Sequence, residues 1–172
     1  MLIGMAGLPG TGKSALARLL ADRLPAVILD KDVVRAALFH PADVEYSTRQ
    51  DDFCVAVMLH TVEYLLDRNP ARHVILDGRT FSRRYQVDDV RAFARKLGTP
   101  CAFIECICSD ETVRQRLERD VTQGRHPARN RTYEMYLSVK ASAEPIAKPK
   151  LVVSTEGNLE RCVQRCLEYI HR

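Results

Sequence analysis

A chain of 172 residues suits one domain with a sizeable core, and its ordinary globular composition excludes low-complexity and repeat architectures. No apolar run approaches the roughly 20 residues of a membrane helix, and a strand beginning at Met1 leaves no room for a signal peptide, so a cytoplasmic protein without membrane contact is expected. The formal net charge is only +4, with arginine far outnumbering lysine, so the positions of the arginines must decide whether they grip phosphate or coat solvated helices.

The run "MLIGMA", residues 1–6, predicts a buried parallel strand. "GLPGTGKS", residues 7–14, then fits the spacing G-x-x-x-x-G-K-[ST]. Glycines let the backbone curl around a phosphate and aim N–H groups inward, and a helix start beyond them adds its own N–H groups and positive dipole end. The residues expected to hold a nucleotide are Leu8, Pro9, Gly10, Thr11, Gly12, Lys13 and Ser14. Lys13 would reach the β- and γ-phosphates and the Ser14 hydroxyl would sit on Mg²⁺. Leu16, Leu19, Leu20 and Leu24 share one face of a helix over 13–24, which Pro25 ends.

"AVIL", 26–29, predicts strand two, followed by a short helix over 32–39 and a loop over 40–49. Residues 50–68 predict a long helix, apolar nearly all round and so buried. "HVIL", 73–76, is strand three, and 82–97 a helix closed by Gly98 and Pro100. Strand four spans 101–108, Ser109 caps the next helix, and 132–143 forms another. Strand five is 151–153, and Asn158 opens a last helix with Leu159, Val163, Leu167 and Ile170 on one stripe. Alternating strands and helices imply right-handed βαβ units, hence an α/β fold with a parallel sheet and helices on both faces.

Ligands bind such sheets beyond the carboxyl ends of the strands, where the charged residues gather. Strand two ends in "LDKDVVR". Asp32 and Arg35, three apart on a helix, would point together at the phosphate site. Asp32 can act as general base toward a substrate hydroxyl and Arg35 can hold an acceptor or the transferring phosphoryl; the plainer alternative is a helix N-cap with an ion pair. Strand three ends in "VILDGR", where Asp77 can hold a Mg²⁺-bound water or Ser14. Of Arg79, Arg83 and Arg84, some would simply be solvated. An arginine-rich helical segment over about 114–131, interrupted by Gly124, His126 and Pro127, has the make-up of a closing lid. Arg119 and Arg125 are its expected catalytic residues, with Arg114, Arg129 and Arg131 on a solvated face. The six cysteines form no zinc pattern and read as small buried or half-buried thiols, with Cys106 and Cys108 on one strand face.

"GLPGTGKS", "LDKDVVR", "VILDGRTFSRR", "RLERDVTQGRHP" and "SAEP" together resemble the small bacterial P-loop kinases of the nucleoside-monophosphate-kinase-like group. That group takes in AAA-type kinases, the 5′-polynucleotide kinase domain, and gluconate and shikimate kinases. The likeness runs over nearly the whole chain. It implies a P-loop NTPase three-layer sandwich, a five-stranded parallel sheet ordered 2-3-1-4-5, and a helical lid. It also implies one kinase domain over 1–172, with ATP and Mg²⁺ as cofactors. The reaction implied is transfer of the γ-phosphoryl to a hydroxyl of a small molecule or a nucleoside- or nucleotide-like acceptor. Asp32 and Arg35 resemble the base and clamp of the polynucleotide kinase branch. "LDGR" lacks the Phe-Pro of the nucleotide-kinase "LDGFPR", which counts against a nucleotide acceptor. The adenine would pack near "STEGN", 154–158.

The alternatives are a polynucleotide 5′-hydroxyl kinase or a regulatory nucleotide-binding ATPase without a small-molecule acceptor. A nucleic-acid partner is not favoured, and a monomer or homodimer fits equally. A GTPase switch would need [NT]-K-x-D after a late strand, and a AAA motor a second acid after strand three; neither is present.

Overall fold

β1 (Leu2–Ala6) is buried at every position and lies at the centre of a parallel sheet with β2 (Ala26–Asp30), β3 (His73–Asp77), β4 (Cys101–Ile107) and β5 (Leu151–Ser154). The computed structural model describes residues 1–123 and 132–171. The strand order is β2-β3-β1-β4-β5, as expected. Register pairs Leu2 with Val74 on one side and with Cys101 on the other. Because β1 lies between β3 and β4, the crossovers on its two sides run in opposite directions. A crevice therefore opens at the carboxyl ends of the strands.

The helices form two layers. α1 (Lys13–Ala21) and α7 (Leu159–Ile170) cover one face, where Leu16, Leu20, Val163 and Cys166 pack on Ile3, Met5 and Ile104. α3 (Thr48–Arg68) and α4 (Arg84–Lys96) cover the other, with Met58, Val62, Val87 and Val90 against Leu2, Val74 and Phe103. α2 (Lys31–Leu38) packs on α3, and α5 (Asp110–Gln123) on α6 (Tyr133–Ser142). Val113, Leu117 and Tyr136 make a third small core beneath that pair.

Several local expectations are corrected. α1 ends at Ala21 rather than Leu24, although Leu24 still packs in the core. The segment 40–49 is not all loop: Pro41–Asp43 is a 3₁₀ turn, and Ser47 caps α3 by accepting from the Gln50 N–H at 3.1 Å. α3 is not buried all round. Its core stripe is Cys54, Val55, Met58, Val62 and Leu66, while Phe53 and Tyr64 are exposed. A run can be apolar without being enclosed when only one layer packs against it. Cys108 lies past the end of β4 and is half-buried, whereas Cys106 is buried. Gly98 closes α4 at φ 63, as the sequence implied.

Candidate functional site

The loop from β1 to α1 is shaped by glycines. Gly7, Gly10 and Gly12 have φ of 130, 78 and 82. At Gly7 the backbones of β1 and β4 come so close that a Cβ would stand 2.3 Å from the Cys106 carbonyl oxygen. A Cβ on Gly10 would press on Val113 and Leu117 of α5. Gly12, the N-cap of α1, brings no side-chain capping group. The N–H groups of Gly10, Gly12 and Ser14 donate to no protein acceptor among the described residues. A curl of unpaired amides at a helix start can cradle an anion. Lys13 is buried and its Nζ donates to the Gly7 and Leu8 carbonyls at 2.8 and 2.9 Å.

Neighbouring loops hold this curl. The Thr80 carbonyl accepts from Gly7 N–H at 3.0 Å, and the next residue, Phe81, is fully buried edge-on to Phe103 at φ 54. A phenylalanine in the left-handed region is strained backbone, here beside the site. On the other side Arg116 of α5 donates to the Gly10 carbonyl (3.3 Å), to Thr155 Oγ1 (3.0 Å) and to the Thr155 carbonyl (2.8 Å). Thr155 Oγ1 donates in turn to the Thr11 carbonyl at 2.8 Å.

A cavity of about 730 Å³ opens over the loop. Pro9, Gly10, Gly12, Lys13 and Ser14 line it, whereas Leu8 and Thr11 line a separate cavity of about 320 Å³. Arg119 and Asp120 reach the large cavity from α5, and Met135 and Val139 from α6. Arg119 is exposed there, one helical turn beyond the anchored Arg116. Arg114 stacks over the Tyr133 ring at 4.6 Å, at the surface as expected. Arg125, Arg129 and Arg131, with Gly124, His126 and Pro127, lie outside the described residues.

The wall opposite the phosphate loop comes from α2 and α3. Asp30, not Asp32, caps α2 by accepting from the Asp32 N–H at 2.8 Å, so the plain capping role for Asp32 is overturned. Asp32 Oδ1 accepts from Arg35 at 2.6 Å, while Oδ2 accepts no hydrogen bond among the described residues. Arg35 also pairs with Asp51 Oδ1, and its guanidinium lies over the Tyr46 ring at 5.1 Å. Lys31 Nζ donates to Asp51 Oδ2 at 2.8 Å and stands 3.4 Å from Asp32 Oδ1. Burial pulls the Lys31 ammonium down to about 8 despite those carboxylates. Arg79 is buried and pairs with Asp52 of α3, so it is not solvated; Arg83 and Arg84 are exposed.

Asp77, 2% exposed at the end of β3, sits in register with Asp30 of β2. Its Oδ1 is buried with no hydrogen-bond partner among the described residues, and burial, with the Asp77 charge second, raises the Asp30 carboxyl. An unsatisfied buried carboxylate oxygen calls for a cation or its water. Among the described residues no cluster of three or more His, Cys, Asp or Glu side chains could hold a metal. Ser14 lines the large cavity and Asp77 does not, so the two residues the sequence offered for Mg²⁺ are not brought together in its lining.

Lys31, Asp51 and Tyr46 were not singled out from the sequence. One signal pointed to Asp51: Ser47 and Gln50 in "STRQ" have the spacing of a helix start, which puts Asp51 in the first turn of α3.

A model of the AAA domain family AAA_33 matches residues 2–145. A comparison with curated proteins gives no match. Among solved structures the fold is similar to a protein from Chloroflexus aurantiacus (TM-score 0.72, 21% identity, covering 97% of this chain and 96% of that one). It is also similar to the Mycobacterium tuberculosis APS kinase CysC in complex with AMPPNP and APS (0.68, 19%, 99% and 97%) and to Chaetomium thermophilum Kti12 in complex with ADP-AlF3 (0.66, 16%, 98% and 98%). The shared fold is that of P-loop kinases and related nucleotide-binding proteins, and no helix among the described residues is long and apolar enough to cross a membrane. With its glycine-built loop at the start of α1 and its 2-3-1-4-5 sheet, this chain belongs to the AAA_33 family of AAA domains.

Proposed function

We propose that this chain is an ATP-dependent phosphotransferase that moves the γ-phosphoryl of Mg-ATP to a hydroxyl of a small molecule. One observation carries the reading: Asp32 and Arg35 line the same cavity as Lys13 and Ser14, so a carboxylate and a guanidinium face the phosphate cradle. The fold it shares with the APS kinase supports the same class of reaction.

Each residue has a chemical task. The loop amides and Lys13 hold the phosphates and take up charge on the β–γ bridge. Ser14 and Asp77 would help hold magnesium, which would supply positive charge to the phosphate oxygens. Asp32 Oδ2 receives the hydroxyl proton as the acceptor oxygen forms its bond to the γ-phosphorus. The bond from that phosphorus to the bridging oxygen breaks, and ADP leaves with the electron pair. Arg35 orients Asp32, and Arg119, with Arg125, supplies positive charge when the α5–α6 lid closes and expels water.

The test is a screen with γ-labelled ATP against small polyols, nucleosides and 5′-hydroxyl oligonucleotides. A labelled small-molecule ester, lost in Lys13→Ala, is expected. Label only in oligonucleotides would favour a polynucleotide kinase, and label only in inorganic phosphate a regulatory ATPase.

A further inference from the structure

Among the described residues, the wall that bears Asp32 is a set of interlocked ion pairs. Lys31 and Arg35 face Asp32 and Asp51, and all four side chains are largely buried, the least so being Asp51 at 27% exposed. Asp51 sits at the centre, with one carboxylate oxygen on Lys31 and the other on Arg35. The next cation along, Arg79, is matched by Asp52, whose carboxylate also accepts from the Tyr85 hydroxyl at 3.1 Å. At the rim Arg83 donates to the Ser142 carbonyl of α6. The wall therefore holds two cations and two carboxylates in mutual contact.

We infer that Asp51 is a specificity-determining residue: it fills the place an anionic acceptor group would take, and so directs the site to uncharged, hydroxyl-bearing acceptors. The inference rests on the phosphotransferase reading and names its acceptor class. An acceptor carboxylate or phosphate reaching Lys31 and Arg35 would lose its hydration and meet a cation pair already neutralised. It would have to expel Asp51, leaving that carboxylate unpaired at the wall. A hydroxyl group exchanges hydrogen bonds with the same side chains and leaves the charge balance unchanged. Placement of Asp51 follows from the fold, because the Ser47 cap puts it in the first turn of α3, which packs on α2. The Tyr46 ring covers Arg35 and narrows other approaches to its guanidinium.

The experiment uses inorganic phosphate as the anionic probe on the full chain saturated with MgADP. Backbone amide NMR shifts at residues 31–35 and 48–52 report the wall, and those at 9–14 report the phosphate loop. Wild type is expected to show no saturable shift at the wall. Asp51→Asn is expected to bind phosphate there at least about tenfold more tightly, Asp51→Glu to exclude it again, and Asp51→Asn with Lys31→Met to lose it. Saturable phosphate binding at the wall of the wild type overturns the inference, and this arm decides even if Asp51→Asn does not fold. A folded Asp51→Asn that takes no phosphate overturns it too, as does wild-type turnover of an anionic acceptor ahead of its uncharged analogue. Failure of MgADP to shift residues 9–14 would instead strike at the phosphotransferase reading.

Discussion

At the phosphate loop the cavity wall is main chain. Gly10 and Gly12 turn at φ 78 and 82, and the Gly10, Gly12 and Ser14 N–H groups have no protein acceptors among the described residues. Across the cavity the wall is side chain: Lys31, Asp32, Arg35 and Asp51, drawn from two helices and held by ion pairs. The first surface suits a ligand part that does not vary, because backbone amides recognise any phosphate. The second is built from side chains, so a substitution there changes the charge presented to the cavity.

The comparison can be broken most forcefully at the phosphate end. Lys13→Ala is expected to lower phosphoryl transfer by on the order of 10³ and to weaken ATP binding. Its thermal midpoint should stay close to wild type, since the hydrogen bonds of the Lys13 ammonium to the Gly7 and Leu8 carbonyls are local to the loop. Turnover at the wild-type rate would remove the basis for a phosphate loop. Next comes the lid. Arg119→Ala should lower kcat by roughly 10², with the ATP dissociation constant little changed, because its contact forms on closure. Arg116→Ala should behave differently, raising the ATP dissociation constant and lowering the thermal midpoint, because this arginine anchors Gly10 and Thr155. If the two variants respond alike, the division between anchor and catalytic arginine fails.

The residues that were legible in the sequence belong mostly to the main-chain surface. Gly7, Gly10, Gly12, Lys13 and Ser14 form a local pattern, since each acts on its own few neighbours. The strand order followed from the resemblance, and Asp32 with Arg35 from their three-residue spacing. The pairing of Asp51 was not legible, because its partners lie 16 and 20 residues away and meet it only once α3 packs on α2. Which of Arg79, Arg83 and Arg84 would be solvated stayed open for the same reason; the Arg79 partner Asp52 is 27 residues upstream. The cap of α2 was shifted by two residues because Asp30 and Asp32 are both capping types, and only the backbone turn selects Asp30.

Two smaller effects sharpen the contrast. Gly7→Ala should destabilise by about 3 kcal/mol, combining a positive φ with a Cβ driven into the Cys106 carbonyl. Gly98→Ala, also at positive φ but with nothing within 4 Å of its Cβ, should cost only about 1 kcal/mol. Chemical denaturation measures both, and equal costs would mean that close approach is not what fixes the glycines of the loop. At the opposite wall, burial lowers Lys31 to about 8 from its ordinary 10.5. Between those values the unfolded chain binds more protons than the folded one, so this residue's share of stability rises with pH. The stability difference, wild type minus Lys31→Met, should therefore climb from about pH 8 to pH 10.5; a flat difference would place Lys31 in water.

Asp32→Asn tests the central claim, that a base on the side-chain wall works against a nucleotide held by the main-chain wall. The substitution keeps the shape of the side chain, and because Asp30 rather than Asp32 caps α2, it spares the helix start. The measurement is the pair of ATP dissociation constant and rate of γ-phosphoryl transfer to the acceptor found in the screen, on wild type and variant side by side. The account predicts a dissociation constant within about twofold of wild type and a transfer rate lower by on the order of 10² or more. Transfer at the wild-type rate, with ATP bound equally well, would contradict it.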